Sequence, residues 1–549
     1  MQPIPPASAD ETRRPADADV LQSSLQSELV HLKLQIQALQ ETIGNLSQEN
    51  DLLRRRLYGT KSERSHTSEL QMSLGDLLDV QKALQKQLDE AVAKAAAECD
   101  RKANPSEKRK SLGGGRPQLE FSKLPRVVVE VPDPELEPTA KRIGFEDSYQ
   151  YLRQRGGWSV LVKRTIKYEV AGSSGPSVVA APQPPTLFPK GLLHSSVVAH
   201  LLVQKFALGV PHHRLEQHMQ AEAVRIDRST MCRYAEQAGG TLGATIVQAM
   251  WQDALEHAAI ISTDATSALI QPEKGSDGLR QACKKGHFFT AVANCDHVLF
   301  AYVPRHTQDA VKALFQGFRG YLQCDASNVY DVLERGAPSE SDSVSLVGCF
   351  AHCRRYFFEA AICKYPVGVE GLARIRAMYA VDDGFQKLPP VQRAQLRELH
   401  LRPLMDDFFR WVHDANAAVE GRNLATRALG YAINQERELR RVLEDPRLPL
   451  DNTRAERSLR KVVVGRKAWM FYGSDTHAES AAALFTLIAC CRLHRIDPER
   501  YLDEVLRLLP YWPSDRYLEL APKLWTLTRA KLVPKELEAP LGPITVPAA

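Results

Sequence analysis

One stretch decides how this chain folds: Asp451-Asn452-Thr453-Arg454-Ala455-Glu456-Arg457-Ser458-Leu459-Arg460-Lys461, followed by Val462-Val463-Val464-Gly465-Arg466-Lys467-Ala468-Trp469. With Asp451 as its N-cap, it predicts a helix whose arginines recur every three residues on one side, at Arg454, Arg457 and Arg460. Glu456 is the single carboxylate among these cations. This pattern suits a metal-dependent enzyme acting on a phosphate backbone, because the metal takes the carboxylate and the arginines take the phosphates. A surface helix with internal Glu–Arg ion pairs has the same pattern, so other parts of the chain have to decide.

The composition predicts a globular, multidomain protein. The chain has 549 residues, 44% of them hydrophobic, which favours three or four domains. Its ten cysteines form no CxxC pair and the N-terminus has no basic-then-apolar signal, so we expect reduced thiols in a cytoplasmic protein. No apolar run approaches the roughly 18 residues that span a bilayer. The net charge of +5 conceals basic clusters typical of nucleic-acid binding, at Arg54-Arg55-Arg56, Lys108-Arg109-Lys110, Arg354-Arg355 and 454–467.

The N-terminal part predicts a dimerisation arm. Residues 1–20 have the composition of a disordered segment, and residues 21–100 read as a helical arm. A heptad pattern within 21–60 places leucines at one core position (Leu25, Leu32, Leu39, Leu46, Leu53) and a mixed set at the other (Leu29, Ile36, Ile43, Asn50, Leu57). Leucine at one position and a lone Asn at the other favour a parallel two-stranded coiled coil, hence a homodimer or higher oligomer. An intramolecular helix pair is the alternative.

The next segments predict a linker, a small β module and a DNA-binding domain. Residues 101–118 have linker composition, and 119–186 contain strand-like runs at 127–131 and 160–168. Residues 187–245 predict a helix-turn-helix whose third helix is capped by Asp227 or Ser229. That helix would offer four side chains to a DNA groove: Arg228, Ser229, Thr230 and Arg233. Short helical trios also occur in proteins that never touch DNA.

The remaining chain predicts a ribonuclease-H-like α/β core within a multidomain α+β protein. Residues 255–365 give three strands, a helix and two further strands, with Asp264 and Asp325 each at the end of a strand. A helical insertion follows at 366–446. Residues 447–510 bring the Glu456 helix, and 511–549 form a C-terminal tail.

Three carboxylates from distant parts of the chain can hold a pair of hard divalent cations. Asp264, Asp325 and Glu456 supply oxygen ligands of the kind that Mg²⁺ or Mn²⁺ prefers. Two such ions can polarise a scissile phosphate, activate a water or a 3′-hydroxyl, and stabilise the leaving oxygen.

Several strings resemble those of one known family. They are Leu57-Tyr58-Gly59-Thr60-Lys61-Ser62-Glu63-Arg64, Lys205-Phe206 with Gly209-Val210-Pro211, Leu322-Gln323-Cys324-Asp325, Gly348-Cys349-Phe350-Ala351-His352-Cys353-Arg354-Arg355, Asp451 to Arg457, Gly465-Arg466-Lys467 and Gly473-Ser474-Asp475. In these strings and their order the chain resembles the insertion-sequence-66 group of bacterial DDE transposases. The resemblance implies cleavage at the ends of a mobile element and strand transfer into target DNA, with Asp264, Asp325 and Glu456 as the metal-binding triad. It also implies a bacterial, nucleoid-associated location and accessory proteins encoded by the same element.

The chain departs from that family at two places. The family usually has Asp-Glu-Thr at the first acid, where this chain has Asp264-Ala265-Thr266. Family members also usually carry a cysteine zinc site before the helix-turn-helix, and residues 140–180 contain no cysteine, so we expect no zinc there. A cysteine and histidine cluster of Cys349, His352, Cys353 and Cys324 fits no usual zinc spacing, so we expect packing there rather than metal.

Two functional hypotheses remain open at this point. The first is an active DDE transposase that contacts DNA through Arg454, Arg457, Arg460, Lys461, Arg466 and Lys467 as well as the helix-turn-helix. The second is a non-catalytic DNA-binding regulator or decayed relative that occupies the same ends. The intact triad favours the first, and a nuclease that cuts without joining is a weaker third possibility.

Overall fold

The computed structural model describes residues 124–154, 157–172, 175–272, 281–335 and 344–548. They fall within one compact unit, Leu119–Ala549. The disordered segment, the coiled coil and the linker predicted for residues 1–118 lie outside the described residues.

A small sheet comes first in the described chain. Its strands are β1 (Arg126–Val131), β2 (Lys141–Gln154), β3 (Gly157–Gly172) and β4 (Gly175–Ala180). Strand β3 pairs in parallel with β1 and antiparallel with β2 and β4. The sequence reading missed β2 because most of its side chains are exposed and polar, which leaves little hydrophobic alternation.

Helices predicted between residues 195 and 238 are present, but they do not form a separate module. They are α1 (Ser195–Leu202), α2 (His212–Ala221), α3 (Arg228–Leu242) and α4 (Gln248–His257), with π-helical segments at Val203–Ala207 and Gly243–Val247. Asp227 is the N-cap of α3, as one of the two predicted candidates. The helices share one hydrophobic core with the second sheet, so the trio is built into the body of the protein.

The second sheet carries the first two acids. Its strands are β5 (Ile260–Ile270), β6 (Lys284–Ala293), β7 (His297–Val303), β8 (Tyr321–Gln323) and β9 (Ser345–Val347). Their spatial order is β7-β6-β5-β8-β9. Strand β6 is antiparallel to both β5 and β7, whereas β8 and β9 run parallel to β5. Helices α5 (Gln308–Leu314) and α6 (Asp331–Arg335) lie between these strands in sequence.

Asp264 does not end its strand, contrary to the sequence reading. Strand β5 continues to Ile270, because its pairing with β6 runs on as far as Ile270 and Lys284. Asp264 therefore lies within an eleven-residue strand, where neighbouring strands fix the direction of its side chain. Asp325 follows β8 as predicted.

The segment predicted as a helical insertion is helical and has its own hydrophobic cluster. After α7 (Phe350–Ile362) come α8 (Pro366–Phe385), α9 (Pro390–Leu396), α10 (Arg402–Ala418), α11 (Leu424–Asn434) and α12 (Glu436–Arg440). A π-helical segment at Arg397–Leu401 and a 3-10 turn at Arg441–Leu443 complete it. The insertion thus leads directly to the stretch that carries Glu456.

A buried ion pair holds the middle of the insertion against its C-terminal end. Arg397 donates to both carboxylate oxygens of Asp382, at 2.7 and 3.0 Å, and to Val442 O at 2.9 Å. The side chains of Arg397 and Asp382 are 3% and 4% exposed.

We expect Arg397→Met to lower the free energy of unfolding by about 3–5 kcal/mol, because it leaves the Asp382 carboxylate buried without a partner. Urea unfolding of the full chain measures this as a shift in midpoint. Arg402→Met is the matched control: its partner Glu398 is largely exposed, so the cost should stay below about 1 kcal/mol. Equal shifts for the two variants would mean that the buried pair has no special role.

The chain ends on helices that close the core. They are α13 (Thr453–Trp469), α14 (Asp475–Leu493), α15 (Pro498–Leu508), α16 (Pro522–Ala530) and α17 (Pro534–Glu538), with strand β10 (Phe471–Tyr472) pairing with β5. Helix α14 packs so tightly on α3 that a Cβ at Gly239 would lie 2.5 Å from Ser480 O. Within the described ranges, no helix combines the length and apolar character needed to cross a bilayer.

Residues 511–548, which the sequence analysis assigned as part of a C-terminal tail, pack against the body of the protein. Leu520, Trp525 and Leu537 are buried in the main core, and Arg507 donates to Leu537 O at 2.8 Å. The segment is rich in proline, which hid the short helices between the prolines from pattern reading.

Candidate active site

The three acidic residues named from the sequence interact electrostatically. Asp264 lies on β5, Asp325 follows β8, and Glu456 lies in the first turn of α13. Burial raises the pKa of Asp264 to about 7, and the negative charges of Asp325 and Glu456 add to the rise. Negative charges that raise the pKa of a buried carboxyl mark a position where a cation is favourable.

Glu456 also has an oxygen with no hydrogen-bonding partner. Among the described residues, no group donates a hydrogen bond to its buried Oε1. The nearest basic atom is His352 Nε2, 3.7 Å away, which is too far for a hydrogen bond. A buried acceptor without a donor is costly, so this oxygen is suited to bind a cation.

Asn452 connects the Glu456 helix to the strand that carries Asp264. It is the N-cap of α13 and is fully buried. Its Nδ2 donates to Thr263 O at 3.2 Å, and its Oδ1 accepts from the Cys349 thiol at 3.0 Å. The helix begins at Thr453, so Asp451 is not the N-cap predicted from the sequence. Asp451 instead accepts from Thr453 N and from the Tyr379 hydroxyl, at 3.0 and 2.8 Å.

A second buried amide, Gln323, connects the sheet to the residues just before α13. Its Oε1 accepts from the Ser262 hydroxyl at 3.2 Å, and its Nε2 donates to Pro449 O at 2.8 Å. Ser262 is on β5 and Gln323 is on β8, so the amide joins both acid-bearing strands to the connecting segment. Gln323 and Asn452 together fix the position of α13 relative to the sheet.

The potential metal ligands that lie together differ from the cysteine and histidine cluster considered in the sequence analysis. The ligand atoms of Cys349, His352 and Glu456 lie within 4.8 Å of one another. Cys353 instead packs in the cluster of the helical insertion. Burial raises the pKa of the Cys349 thiol to about 12, so it is protonated at neutral pH and donates to Asn452. It is therefore poorly suited to bind metal as a thiolate.

Helix α7 carries two further residues near the acids, His352 and Arg355. Burial lowers the pKa of His352, whereas the charge of Glu456 raises it. The exposed guanidinium of Arg355 lowers the pKa of both Asp264 and His352. An exposed cation next to three carboxylates can contact a phosphate that approaches them.

The basic residues of α13 divide into groups with different surroundings. Arg454, Arg457 and Lys461 line a cavity to which Glu456 does not contribute. Arg466 donates to Thr266 Oγ1 at 3.0 Å and so braces α13 against β5. Arg460 and Lys467 are exposed. The single basic face predicted from three-residue spacing is thus split, and Arg466 has a structural contact.

The residues predicted to read DNA lie at the start of α3. Arg228, Ser229 and Arg233 are exposed, and Thr230 is half-buried. Arg233 donates to Thr230 Oγ1 at 3.3 Å. Arg228 and Ser229 line a cavity of about 620 Å³ that α3 shares with the end of α13, including Trp469.

Sequence reasoning missed the roles of Asn452, Gln323, His352 and Arg355. All four belong to strings quoted above for the resemblance, but their partners lie far away in the chain. The Asn452–Thr263 bond, for example, spans 189 residues. Only the burial of a polar amide next to the acids could have indicated such a role, and burial is not visible in the letters.

Comparison with known proteins adds family matches over much of the chain. Residues 190–480 match the model described as Transposase IS66 family, residues 45–129 match Transposase C of IS166 homeodomain, and residues 486–522 match the IS66 C-terminal element. The homeodomain-type match falls on the predicted arm and linker, before the predicted helix-turn-helix.

Two curated relatives come from Sinorhizobium fredii. The uncharacterized protein y4qI is 25% identical over 514 residues, which cover 90% of this chain and 92% of the relative. The uncharacterized protein y4hP is 25% identical over 510 residues, which cover 88% of each. The first family match alone extends over more than half of the 549 residues. The chain therefore belongs to the IS66 family of transposases.

Proposed function

We propose that this chain is a DDE transposase that binds the ends of a mobile element and catalyses metal-dependent cleavage and strand transfer. The observation that carries the proposal is that Asn452, at the start of the Glu456 helix, bonds to Thr263, the residue before Asp264. The negative charges of Asp325 and Glu456 raise the pKa of Asp264, which supports it. Family membership makes DNA the substrate class.

The order and direction of the strands support a ribonuclease-H-like core. Three antiparallel strands followed by two parallel ones, in the order β7-β6-β5-β8-β9, bring the middle of β5 next to the end of β8. This topology accounts for how the charge of Asp325 raises the pKa of Asp264, 61 residues before it in the sequence.

The acid site fits two hard divalent cations. Its ligands are carboxylate oxygens, which Mg²⁺ and Mn²⁺ prefer. The raised pKa of Asp264 and the partnerless Oε1 of Glu456 support a cation-binding role for these residues. When bound, the ions would polarise the scissile phosphate and lower the pKa of the attacking water or hydroxyl.

The neighbouring residues of the chain would position the DNA strand. Asp264 and Asp325 are held by paired strands, and Glu456 by the Asn452 link. Arg355 is placed to bind a non-bridging oxygen of the phosphate, which a planar guanidinium does well. His352, neutral because burial lowers its pKa, would contact the Glu456 carboxylate without adding a charge.

Two parts of the chain are candidates for end recognition. One is the start of α3, and the other is the region 45–129 that matches a homeodomain-type model. A homeodomain is itself a helix-turn-helix variant.

We expect Arg228→Ala and Arg233→Ala to weaken binding to the element's ends by about tenfold each while Mg²⁺ binding is unchanged, because both side chains are exposed at the start of α3. Fluorescence anisotropy with labelled end and random duplexes measures the effect. Arg225→Ala, just before α3, is the nearby control. An equal loss on random DNA would reduce both residues to phosphate contacts.

A nicking and joining assay tests the proposal itself. The full chain is incubated with a labelled element end, target DNA and Mg²⁺ or Mn²⁺, and products are separated by size. Nicks at the element terminus with joined products support a transposase. Binding without nicks at any divalent concentration would favour the non-catalytic regulator, and nicks without joining would favour a nuclease.

A further inference from the structure

The cavity of about 620 Å³ between the start of α3 and the end of α13 is large enough to hold a ligand. Two of the side chains that line it are exposed: Arg228 of α3, and Met470, the residue that follows α13. The cavity is therefore open to solvent on the side where α3 carries the residues predicted to read DNA. Of the roles assigned above, only those of Arg228 and Ser229 involve this cavity.

A half-buried lysine without a counter-charge, Lys205, lines the cavity from the π-helical segment Val203–Ala207. Within the described part of the chain, its side chain forms no hydrogen bond or ion pair. Its Nζ instead lies over two aromatic rings, 5.3 Å from the centroid of Trp469 and 5.6 Å from that of Phe206. Such cation–π contacts offset only part of the cost of removing an ammonium group from water, and burial lowers the pKa of Lys205. The positive charge is thus held in the cavity without being neutralised.

The residues around Lys205 feel this charge and do not cancel it. Burial lowers the pKa of His212 to about 3, and the charges of Lys205 and His477 contribute. Burial also lowers the pKa of His477, with Lys205 adding to the effect and Glu236 opposing it. Of the described residues that line the cavity, Glu236 is the only carboxylate, and it lies 3.3 Å from His477 Nε2. A cation without its own carboxylate makes the cavity favourable for an anionic ligand.

Helix α13 connects this cavity with the acid site. Glu456 lies in its first turn, and Trp469, which lines the cavity, is its last residue. At about 1.5 Å per residue, the two are about 20 Å apart along the helix axis. Successive phosphates of one DNA strand are about 3.4 Å apart along the duplex axis, so this length corresponds to about six nucleotides. A duplex lying along α13 would therefore bring a phosphate about six nucleotides from the cleaved bond to the cavity.

We propose that Lys205 binds one backbone phosphate of the element end, about six nucleotides from the bond that is cut. The ammonium group of Lys205 supplies the positive charge inside the cavity, and the Arg228 guanidinium at its opening contacts the same strand. This inference rests on the proposed function, because it takes the DNA of the element end as the ligand. It adds a phosphate contact that fixes the distance between the bases read by α3 and the bond cut at the acids, since phosphate contacts set the register of a protein on DNA.

The test uses the full chain in metal-free buffer with a set of labelled element-end duplexes. Each duplex carries a single methylphosphonate, a backbone linkage without negative charge, at a position about four to eight nucleotides from the terminal bond. We expect the wild type to lose about tenfold in affinity at one of these positions, which is the lower end of the range for a hydrogen bond to a charged group. Fluorescence anisotropy measures the affinity for each duplex and for the unmodified end.

Lys205→Met should remove this dependence, because it keeps the approximate length of the side chain and removes its charge. Its affinity for the unmodified end should fall about tenfold and should fall no further on the methylphosphonate duplexes. Its Tm should stay the same or rise, since a partly desolvated cation without a counter-charge is lost. Lys531→Met is the matched control, because Lys531 is exposed directly after α16 and does not line the cavity. The control should bind every duplex as the wild type does.

Each outcome decides the matter. Loss of affinity at one position in the wild type and in Lys531→Met, but not in Lys205→Met, supports the inference. An equal loss in Lys205→Met at that position, or a wild type that is insensitive at every position, overturns the inference and leaves the proposed function intact. A lower Tm of Lys205→Met with an unaltered dependence on the methylphosphonate would reduce Lys205 to a structural contact. Failure of the wild type to bind the unmodified end would contradict the proposed function as well.

Discussion

Glu456→Gln is expected to reduce strand cleavage by about 10³-fold or more while binding to the element's ends is unchanged. The substitution keeps the size of the side chain and the helix but removes the negative charge that completes the cation site. An amide oxygen is a much weaker ligand than a carboxylate, and the charge developing on the phosphate would lose its stabilisation. Asp264→Asn and Asp325→Asn should behave alike.

The measurement follows nicking and joining of a labelled end in Mg²⁺ and in Mn²⁺, with anisotropy for binding. Glu479→Gln makes the same chemical change at an exposed carboxylate on α14 and should cut normally. Arg460→Gln, one turn from Glu456, should weaken DNA binding in a way that lower salt restores. Lower salt should not rescue Glu456→Gln. If Glu456→Gln cuts at the wild-type rate, Glu456 is a surface residue and the acid site is wrongly assigned.

The second large effect is expected at Asn452. Asn452→Leu keeps the approximate volume but removes the bonds to Thr263 O and to the Cys349 thiol. We expect cleavage per folded molecule to fall by about 10- to 100-fold, because a shift of about 1 Å in a reacting group has that effect. Stability should fall by about 1–3 kcal/mol, since buried groups lose their partners.

Substitutions of Cys349 distinguish a role of Asn452 in positioning α13 from a general loss of stability. Cys349→Ser keeps a donor for Asn452 and should retain most activity, whereas Cys349→Val removes the donor and should resemble Asn452→Leu. If Asn452 has a positioning role, Asn452→Leu and Cys349→Val should raise the Mg²⁺ concentration needed for the half-maximal rate and leave end binding unchanged. Reduced stability with a normal rate and normal Mg²⁺ dependence would show that Asn452 only supports the fold.

The proposed acids come from the sequence, because their chemistry is explicit in the residue types. Asp264 and Asp325 adjoin strand-like runs, and Glu456 is one carboxylate among many cations. How α13 is held could not be predicted, because Asn452 and Gln323 act through partners that lie far off in the chain. Their amide bonds depend on burial, which periodicity alone does not reveal.

The errors in the fold have similar causes. Strand β2 is largely exposed and polar, so it lacks the hydrophobic alternation that identifies a strand. The end of β5 was placed too early because continued pairing with β6, a tertiary effect, carries the strand past Asp264. The even spacing of Arg454, Arg457 and Arg460 suggested one basic face, whereas the packing of α13 separates Arg454 and Arg457 from Glu456.

The long insertion between Asp325 and Glu456 has a consequence for the timing of synthesis. Glu456 leaves the ribosome 192 residues after Asp264, which at about 5–20 residues per second is a delay of about 10 to 40 s. During that interval the nascent chain has two of the three proposed acids and would lack a complete cation site. Strand β5 must also wait for β10, because its parallel partner Phe471–Tyr472 is made later still. Under the proposed function, a growing chain would therefore be unable to cut DNA until this late step.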